Sequence, residues 1–457
     1  MIEQDNQEWL SLVLIIAKDC KMNKYGKSYR VLLLLLVGIL LASCANFSQT
    51  PMPTPTPIPL SAEEIGDTVE YKWAEISFDD LIPKDLHVEM VQTWNGMGMD
   101  DQGRIYIGFT SFRDGGKTED FLVFRYDPAN GNKDFLGSFM DIASASGNLQ
   151  EGESIPKGHT RMIFSDGVMY MGSQGFHDFK QEIDDLPNFR GSHIFAYDTR
   201  AESWLDLSAK LPGGVVTEHQ GIVGLNILRS EGLLVGLAHP YSDLVLFDYK
   251  SNEVVKVAPG IPWELGNPLS REVIVAPSGN IYSYRGTEDP VQRNESHPVW
   301  VYNIHTDEMM QTEFSMTNGF WIGQTERRDG SKIYITTTNG QLYEFDVSTE
   351  TFKDLGPMLP EEDVAAGRHI QFQYGPTLSP DETKIYFVPC VIEKPYGSGE
   401  LYEYDIAAGK FTYIQQLPVG IYTSADLRDS KNIYLAHFGN DSNLWSGRVR
   451  LMVITVN

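Results

Sequence analysis

The chain has 457 residues, 42% of them hydrophobic, and 62 acidic side chains against 36 Lys and Arg, for a formal charge of -26. That much apolar material excludes a disordered chain, and the acidic surplus excludes nucleic acid and anionic membrane surfaces as partners, because both are bound through clustered Lys and Arg. Three cysteines, Cys20, Cys44 and Cys390, are too few for a disulfide framework, and the length suits either several ordinary domains or one large repeat architecture.

The first element is an address. Residues 31–41 form an almost pure apolar run, preceded by Lys24, Lys27 and Arg30 and followed by Leu41-Ala42-Ser43-Cys44. This is the basic, apolar and small-residue order of a secretory signal, and the run is shorter than the roughly 20 residues of a bilayer span. An earlier apolar run at 9–17 follows Glu3, Asp5 and Glu8, which signals do not normally carry, so residues 1–43 read as a signal peptide with Met22 as its true start.

Leu-Ala-Ser-Cys resembles the lipobox of bacterial lipoproteins. The resemblance implies cleavage before Cys44, lipidation of that cysteine, and a protein held to a membrane by its lipid anchor on the extracytoplasmic side of the cell envelope. Two or more acyl chains anchor stably, at about 0.8 kcal/mol per buried methylene. Residue 45 is Ala rather than Asp and gives no reason for retention at an inner membrane. Residues 44–67 then form a tether, whose alternating Thr/Pro stretch at 50–59 is barred from helix and central strand because Pro lacks the donor and fixes φ. Ten such residues span roughly 30 Å at about 3.1 Å each.

Residues 68–457 repeat one unit. A strand of Ile-Tyr type recurs at Ile105-Tyr106, Met169-Tyr170, Leu234-Val235, Ile281-Tyr282, Ile333-Tyr334, Ile385-Tyr386 and Ile433-Tyr434. Each of the first six is followed by a strand ending in an acid or Asn: Asp127, Asp198, Asp248, Asn303, Asp346 and Asp405. Those positions lie 43 to 71 residues apart, so a unit of about 40 to 45 residues carries insertions of varying length. Repeated four-stranded units without helical periodicity predict an all-β fold, a seven-bladed β-propeller of four-stranded antiparallel blades. The last unit lacks an outer strand, and residues 69–76 resemble the outer strands near Trp204 and Phe352. The N-terminal strand is therefore expected to close the last blade. At the family level the repeat resembles bacterial seven-bladed propellers with TolB-like repeats, most closely at Leu378-Ser379-Pro380-Asp381-Glu382-Thr383-Lys384-Ile385-Tyr386-Phe387.

In a propeller the innermost strands line a central channel. Three of the predicted inner strands begin at or just after a histidine, His159, His219 and His369, and three imidazoles on different strands suit a divalent metal at the channel mouth. Glu218, Gln220, Gln371 and Gln373 would supply oxygen ligands or a surrounding shell, and Arg161 and Arg368 would bind a substrate carboxylate or phosphate. The placement resembles that of the oligogalacturonate lyases, which hold a metal with histidines and a glutamine at the channel. The alternative is that these inner-strand side chains only hydrate a water-filled channel. A second set, His177, His239 and His437, follows the Ile-Tyr strands and is expected on the other side of the sheet from the channel mouth. Long insertions at 110–120, 172–190, 286–297 and 388–399 are candidate contact surfaces, with Phe176, Phe179 and Phe189 as stacking groups or as packing beneath their own loop. Cys390 reads as a buried, inert thiol.

Two readings follow. The first is a cell-envelope lipoprotein whose propeller binds a glycan, peptide or protein partner through the channel mouth and rim loops, with no cofactor required. The second is a metal-dependent carbohydrate-active enzyme, a lyase or hydrolase, with the histidine-lined channel as its site.

Overall fold

The computed structural model describes residues 71–456, apart from 85, 87–88, 114–117, 176–188, 262–269, 287–294, 318, 392–398 and 441–446, and apart from the side chains of residues 371, 372 and 391. The signal segment, Cys44 and the tether lie outside the described residues, as do His177, Phe176 and Phe179.

Each Ile-Tyr pair occupies the second strand of its blade, and strand alternation sends the two side chains to opposite faces. Ile281 packs toward blade 3 and Tyr282 toward blade 5; Ile385 packs toward blade 5 and Tyr386 toward blade 7. Both faces of every sheet are thus buried against a neighbour, which is why the strands read as nearly continuous apolar runs. Among the described residues the core divides into seven clusters, one at each interface between adjacent blades.

Among the described residues the expected seven blade sheets are present, six of four strands and the first of five, with two two-stranded pairings beside them. Their inner strands are Glu89–Gln92 with Met97–Met99, Ile163–Ser165, Gly221–Leu228, Ile274–Val275, Trp321–Glu326, Thr377–Leu378 and Ile421–Arg428. The seventh sheet takes its outermost strand from the N-terminal side: Lys72–Ile76 pairs antiparallel with Arg450–Thr455, from Lys72 opposite Thr455 to Ile76 opposite Leu451. Tyr71 locks this strand to blade 6 by donating to Glu403 at 2.9 Å, with its hydroxyl 3.2 Å from that of Tyr386.

The acid that ends each third strand has a local task. Asp198 and Asp248 each accept backbone N–H bonds from the residues two and three positions on, at 2.8 to 3.1 Å, and Asn303 does the same at 2.9 Å. These are Asx turns, in which the side chain replaces a turn's missing backbone acceptor. In blades 1 to 6 the third and fourth strands are joined by turns of one length, from Asp127 opposite Asn132 to Asp405 opposite Lys410.

The opposite face differs. There the second and third strands are joined by connections that range from the short link between Arg113 and Thr118 to the long one between Gly172 and Ile194. The insertions at 172–190, 286–297 and 388–399 leave and rejoin the blades on this face, which also carries the starts of the inner strands; the expected insertion at 110–120 is instead mostly paired strand, because Ile105–Arg113 and Thr118–Asp127 extend their ladder through it. We call it the loop-bearing face.

Candidate functional site

The channel is lined where inner strands depart from regular pairing. In blade 1 the strand breaks between Gln92 and Met97, and Asn95 takes a left-handed φ of 60° that turns it inward. In blade 7 the register shifts between Thr423 and Leu427, and Asp426, with a φ of 60°, reaches toward blades 5 and 6.

Two layers of charge result. In the deeper one, Arg161 of blade 2 donates from Nε to Glu272 of blade 4 at 3.3 Å, and Asn95 of blade 1 donates to the other Glu272 oxygen at 3.4 Å. All three are buried, at 8%, 2% and 1% exposure. Burial pushes the Glu272 carboxyl up to about 7 despite the attraction of Arg161, and Glu326 pushes it the same way. Arg161 also lies within electrostatic reach of Glu326 and Asp426. Asp426 is held by Thr325, by the Glu326 backbone N–H at 2.9 Å and by Arg428 at 2.5 Å, and Arg428 continues to Glu382 at 2.9 Å. These groups tie the lower channel of blades 5, 6 and 7 together.

The mouth on the loop-bearing face is different in character. Its aromatic side brings Trp94 against Tyr374 at 4.8 Å, Phe438 at 5.0 Å and, in parallel planes, His159 at 6.4 Å between ring centres. Arg271 of blade 4, next to Glu272 in sequence, lies over the Phe320 ring at 5.7 Å. Lys157 of blade 2 is half-buried, and burial together with Arg271 pulls its ammonium down to about 8 against the opposing pull of Glu119.

The predicted metal ligands are not brought together. His159 is buried at the mouth beside Trp94. His219 takes a left-handed φ of 57° after the short strand Thr217–Glu218, which pairs with Gly191–Ser192 outside the blade, and is left exposed. His369 precedes Ile370–Phe372, which leaves the expected inner strand to pair with Cys390–Val391, and its Nδ1 lies 3.2 Å from the Gly367 carbonyl. Among the described residues no group of three or more His, Cys, Asp or Glu side chains is placed to hold a metal ion.

The predicted substrate-binding set divides likewise. Arg161 is in the channel, but engaged with Glu272. Gln220 donates to Asp243 at 2.6 Å and Gln373 to Thr336 at 2.5 Å, and each keeps a buried carbonyl oxygen with no protein partner, as groups lining a hydrated channel do. Glu218 is exposed. Arg368 is off the axis altogether: it pairs with Asp363 at 2.9 Å and with Glu400, on the third strand of blade 6, at 3.0 Å, in the wall of an outer cleft of about 370 Å³. The Gln371 side chain lies outside the described residues.

The second histidine set is a correction. His239 faces Gly221 and His437 faces Tyr422, the first and second residues of their respective inner strands, so both stand at the loop-bearing end and not across the sheet from it. Antiparallel pairing requires this, since the end of a second strand adjoins the start of the first. Phe189 is buried against Gly175, and Cys390 is buried and in no disulfide among the described residues.

Sequence reasoning passed over two clusters. Arg271-Glu272 carried a signal, two adjacent charges inside a predicted inner strand. His193 carried none: it is buried at 0% exposure between Asp206, 3.0 Å from Nδ1, and Glu153, 3.4 Å from Nε2, with Arg190 on Glu153 at 3.1 Å. Burial opposes its charge, but the hydrogen bonds to Asp206 and Glu153 win and raise its pKa. Sealed from solvent, this cluster is a structural tie.

No protein-family model and no curated protein matches the chain. Similar solved structures include a chain in the crystal structure of the mitotic checkpoint complex, 10% identical, with a TM-score of 0.46 over 90% of this chain and 99% of that one. Another is the β-propeller domain of Myceliophteria thermophila Cps50 (Swd1), 10% identical, with a TM-score of 0.49 over 81% and 100% of the two chains. Among the described residues no helix is long and apolar enough to cross a membrane.

Proposed function

We propose that this chain is a cell-envelope lipoprotein, lipidated at Cys44, that presents a seven-bladed propeller on its Thr/Pro tether and binds a glycan, peptide or protein partner with the loop-bearing face. The observation that carries the binding reading is the asymmetry between the two faces. Among the described residues one carries short turns, the Asx turns of a single length among them, while the other carries the long insertions and the Trp94–Tyr374 aromatic wall. A rigid ring with its long insertions gathered on one face is the architecture of a scaffold presenting binding loops. The metal-enzyme reading has no comparable support, because His159, His219 and His369 stand apart.

The anchor and the face are tested separately. Metabolic labelling with an alkyne fatty acid should mark the wild type and not Cys44→Ala, which should also leave the membrane fraction. Binding to arrayed glycans and to envelope extracts should fall when residues 177–187 are replaced by a Gly/Ser linker and persist when Asp248→Ala alters the opposite face. Equal binding by both variants would remove the loop-bearing face as the contact surface.

A further inference from the structure

The outer cleft beside Arg368 is assembled from two blades. One wall is the short helix Glu361–Ala365 and the turn after it, which lead from the outer strand of blade 5 into blade 6; the other is Lys410–Gln416, the outermost strand of blade 6. Its volume of about 370 Å³ falls within the range of small-molecule sites, roughly 300 to 1,000 Å³.

The polar wall is held in place by its own bonds. The Arg368 backbone N–H donates to the Asp363 carbonyl at 3.0 Å, its Nη1 donates to the Asp363 carboxylate at 2.9 Å, and its Nη2 donates to Glu400 at 3.0 Å. The Tyr402 hydroxyl donates to the same Glu400 oxygen at 3.2 Å. One guanidinium thus sits between two carboxylates, and Asp363 and Arg368 both remain partly exposed. Asp363 accepts from Arg368 through Oδ1, whereas a carboxylate has about four acceptor sites, so the pair leaves this wall able to bond further.

The strand wall is aromatic. Phe411 packs into the core between blades 5 and 6, and Tyr413, two residues on and so on the same face of the strand, carries that row out to the cleft at 46% exposure. Tyr413 meets Tyr402 with ring centres 5.7 Å apart and planes at 74°. The two rings therefore do not stack, and at least one face of Tyr413 is not covered by Tyr402.

Charge selects the class of ligand. Among the described residues the lining carries the carboxylates of Glu362, Asp363 and Glu400 against the cations Arg368 and Lys410, close to balance on a chain of formal charge -26. A ligand anion meets the carboxylates, and a ligand cation meets Arg368 and Lys410. A neutral polyol gains from both, because each hydroxyl donates to a carboxylate oxygen and accepts from a cationic N–H.

We infer that this cleft is a carbohydrate subsite on the rim of blade 6, which takes a neutral pyranose with its apolar face on Tyr413 and its hydroxyls on the Asp363–Arg368–Glu400 cluster. It is a second site, away from the channel, and does not depend on the reading of the loop-bearing face.

Isothermal titration calorimetry on the full-length protein tests this, with methyl β-D-glucopyranoside, methyl β-D-galactopyranoside and N-acetyl-D-glucosamine as neutral probes and D-glucuronate and D-glucosamine as charged ones. Saturable binding of at least one neutral sugar is expected, tighter than that of either charged sugar. Tyr413→Ala should weaken it roughly tenfold, and Tyr413→Phe should leave it within about twofold, because the ring and not the hydroxyl makes the contact. Asp363→Asn, which keeps the shape and removes the charged acceptor, should also weaken it several-fold. Should Asp363→Asn fail to fold, judged by its thermal transition, the two Tyr413 variants still decide. Absence of saturable binding by every neutral sugar, tighter binding of a charged one, or binding unchanged in Tyr413→Ala overturns the proposal. Replacing residues 177–187 should leave this binding intact, and Tyr413→Ala should leave intact whatever the loops bind, so the rim subsite and the loop-bearing face fail separately.

Discussion

Arg161 and Glu272, 111 residues apart in sequence and on blades that are not adjacent, meet in the channel with Nε 3.3 Å from the carboxylate. The two partners are not equivalent. Glu272 already has a pKa near 7, so it sheds its charge cheaply if Arg161 is lost, whereas a guanidinium does not deprotonate. Glu272→Ala should therefore cost about 3 kcal/mol or more at pH 7, and Arg161→Ala distinctly less. Urea denaturation of the two variants side by side gives the order; the reverse order would mean that Glu326 and Asp426 compensate Arg161 unaided.

Two buried histidines should answer acid in opposite senses. The folded pKa of His193 is raised, so its contribution is complete below the unfolded value of about 6.5 and is lost as pH rises through the folded value. Burial takes His437 down to about 4, so the unfolded chain binds a proton that the folded one refuses, and stability falls as pH drops from about 6.5 toward 4. Thermal melts from pH 5 to pH 8 should show His193→Gln losing most at the acidic end, and His437→Phe losing least there.

The Asx turns depend on an acceptor and not on a charge, since Asn303 serves where its counterparts are Asp. Asp248→Asn should leave the Tm within about a degree, whereas Asp248→Ala removes two accepted N–H bonds and should lower it by several degrees. Equal losses in both would point to charge, through Lys250, as the stabilising element.

Deleting residues 69–76 should do more than trim a tail. It uncovers the backbone edge of Arg450–Thr455 and exposes Leu451, Met452 and Ile454, all at 0% exposure in the closed ring. Loss of a single sharp urea transition, with binding of a hydrophobic dye, is the expected outcome. A deletion that keeps one transition of unchanged slope would show that six and three-quarter blades suffice.

The ring was legible because its causes are local and repeated. The Ile-Tyr pairs report two buried faces, the acids report Asx turns, and the resemblance of residues 69–76 to the strands at Trp204 and Phe352 pointed to the closing strand found at Lys72–Ile76. The channel was not legible, because its chemistry depends on irregularities that leave little mark in sequence. Asn95 and Asp426 point inward through bulges. His219 and His369 are drawn aside by two-stranded pairings, Gly191–Ser192 with Thr217–Glu218 and Ile370–Phe372 with Cys390–Val391, that no periodicity announces. Arg368 lies off the channel because the inner strand of blade 6, Thr377–Leu378, is two residues long and begins well after it.

The pairing of Lys72 with Thr455 also orders events in time. A growing chain holds a finished outer strand from early in its synthesis, but that strand has nothing to pair with until residues 450–455 exist. Throughout the interval the outward faces of the first and sixth blades stay open. Closure is thus the last step of folding, and a chain interrupted late yields not a smaller propeller but an unsealed one.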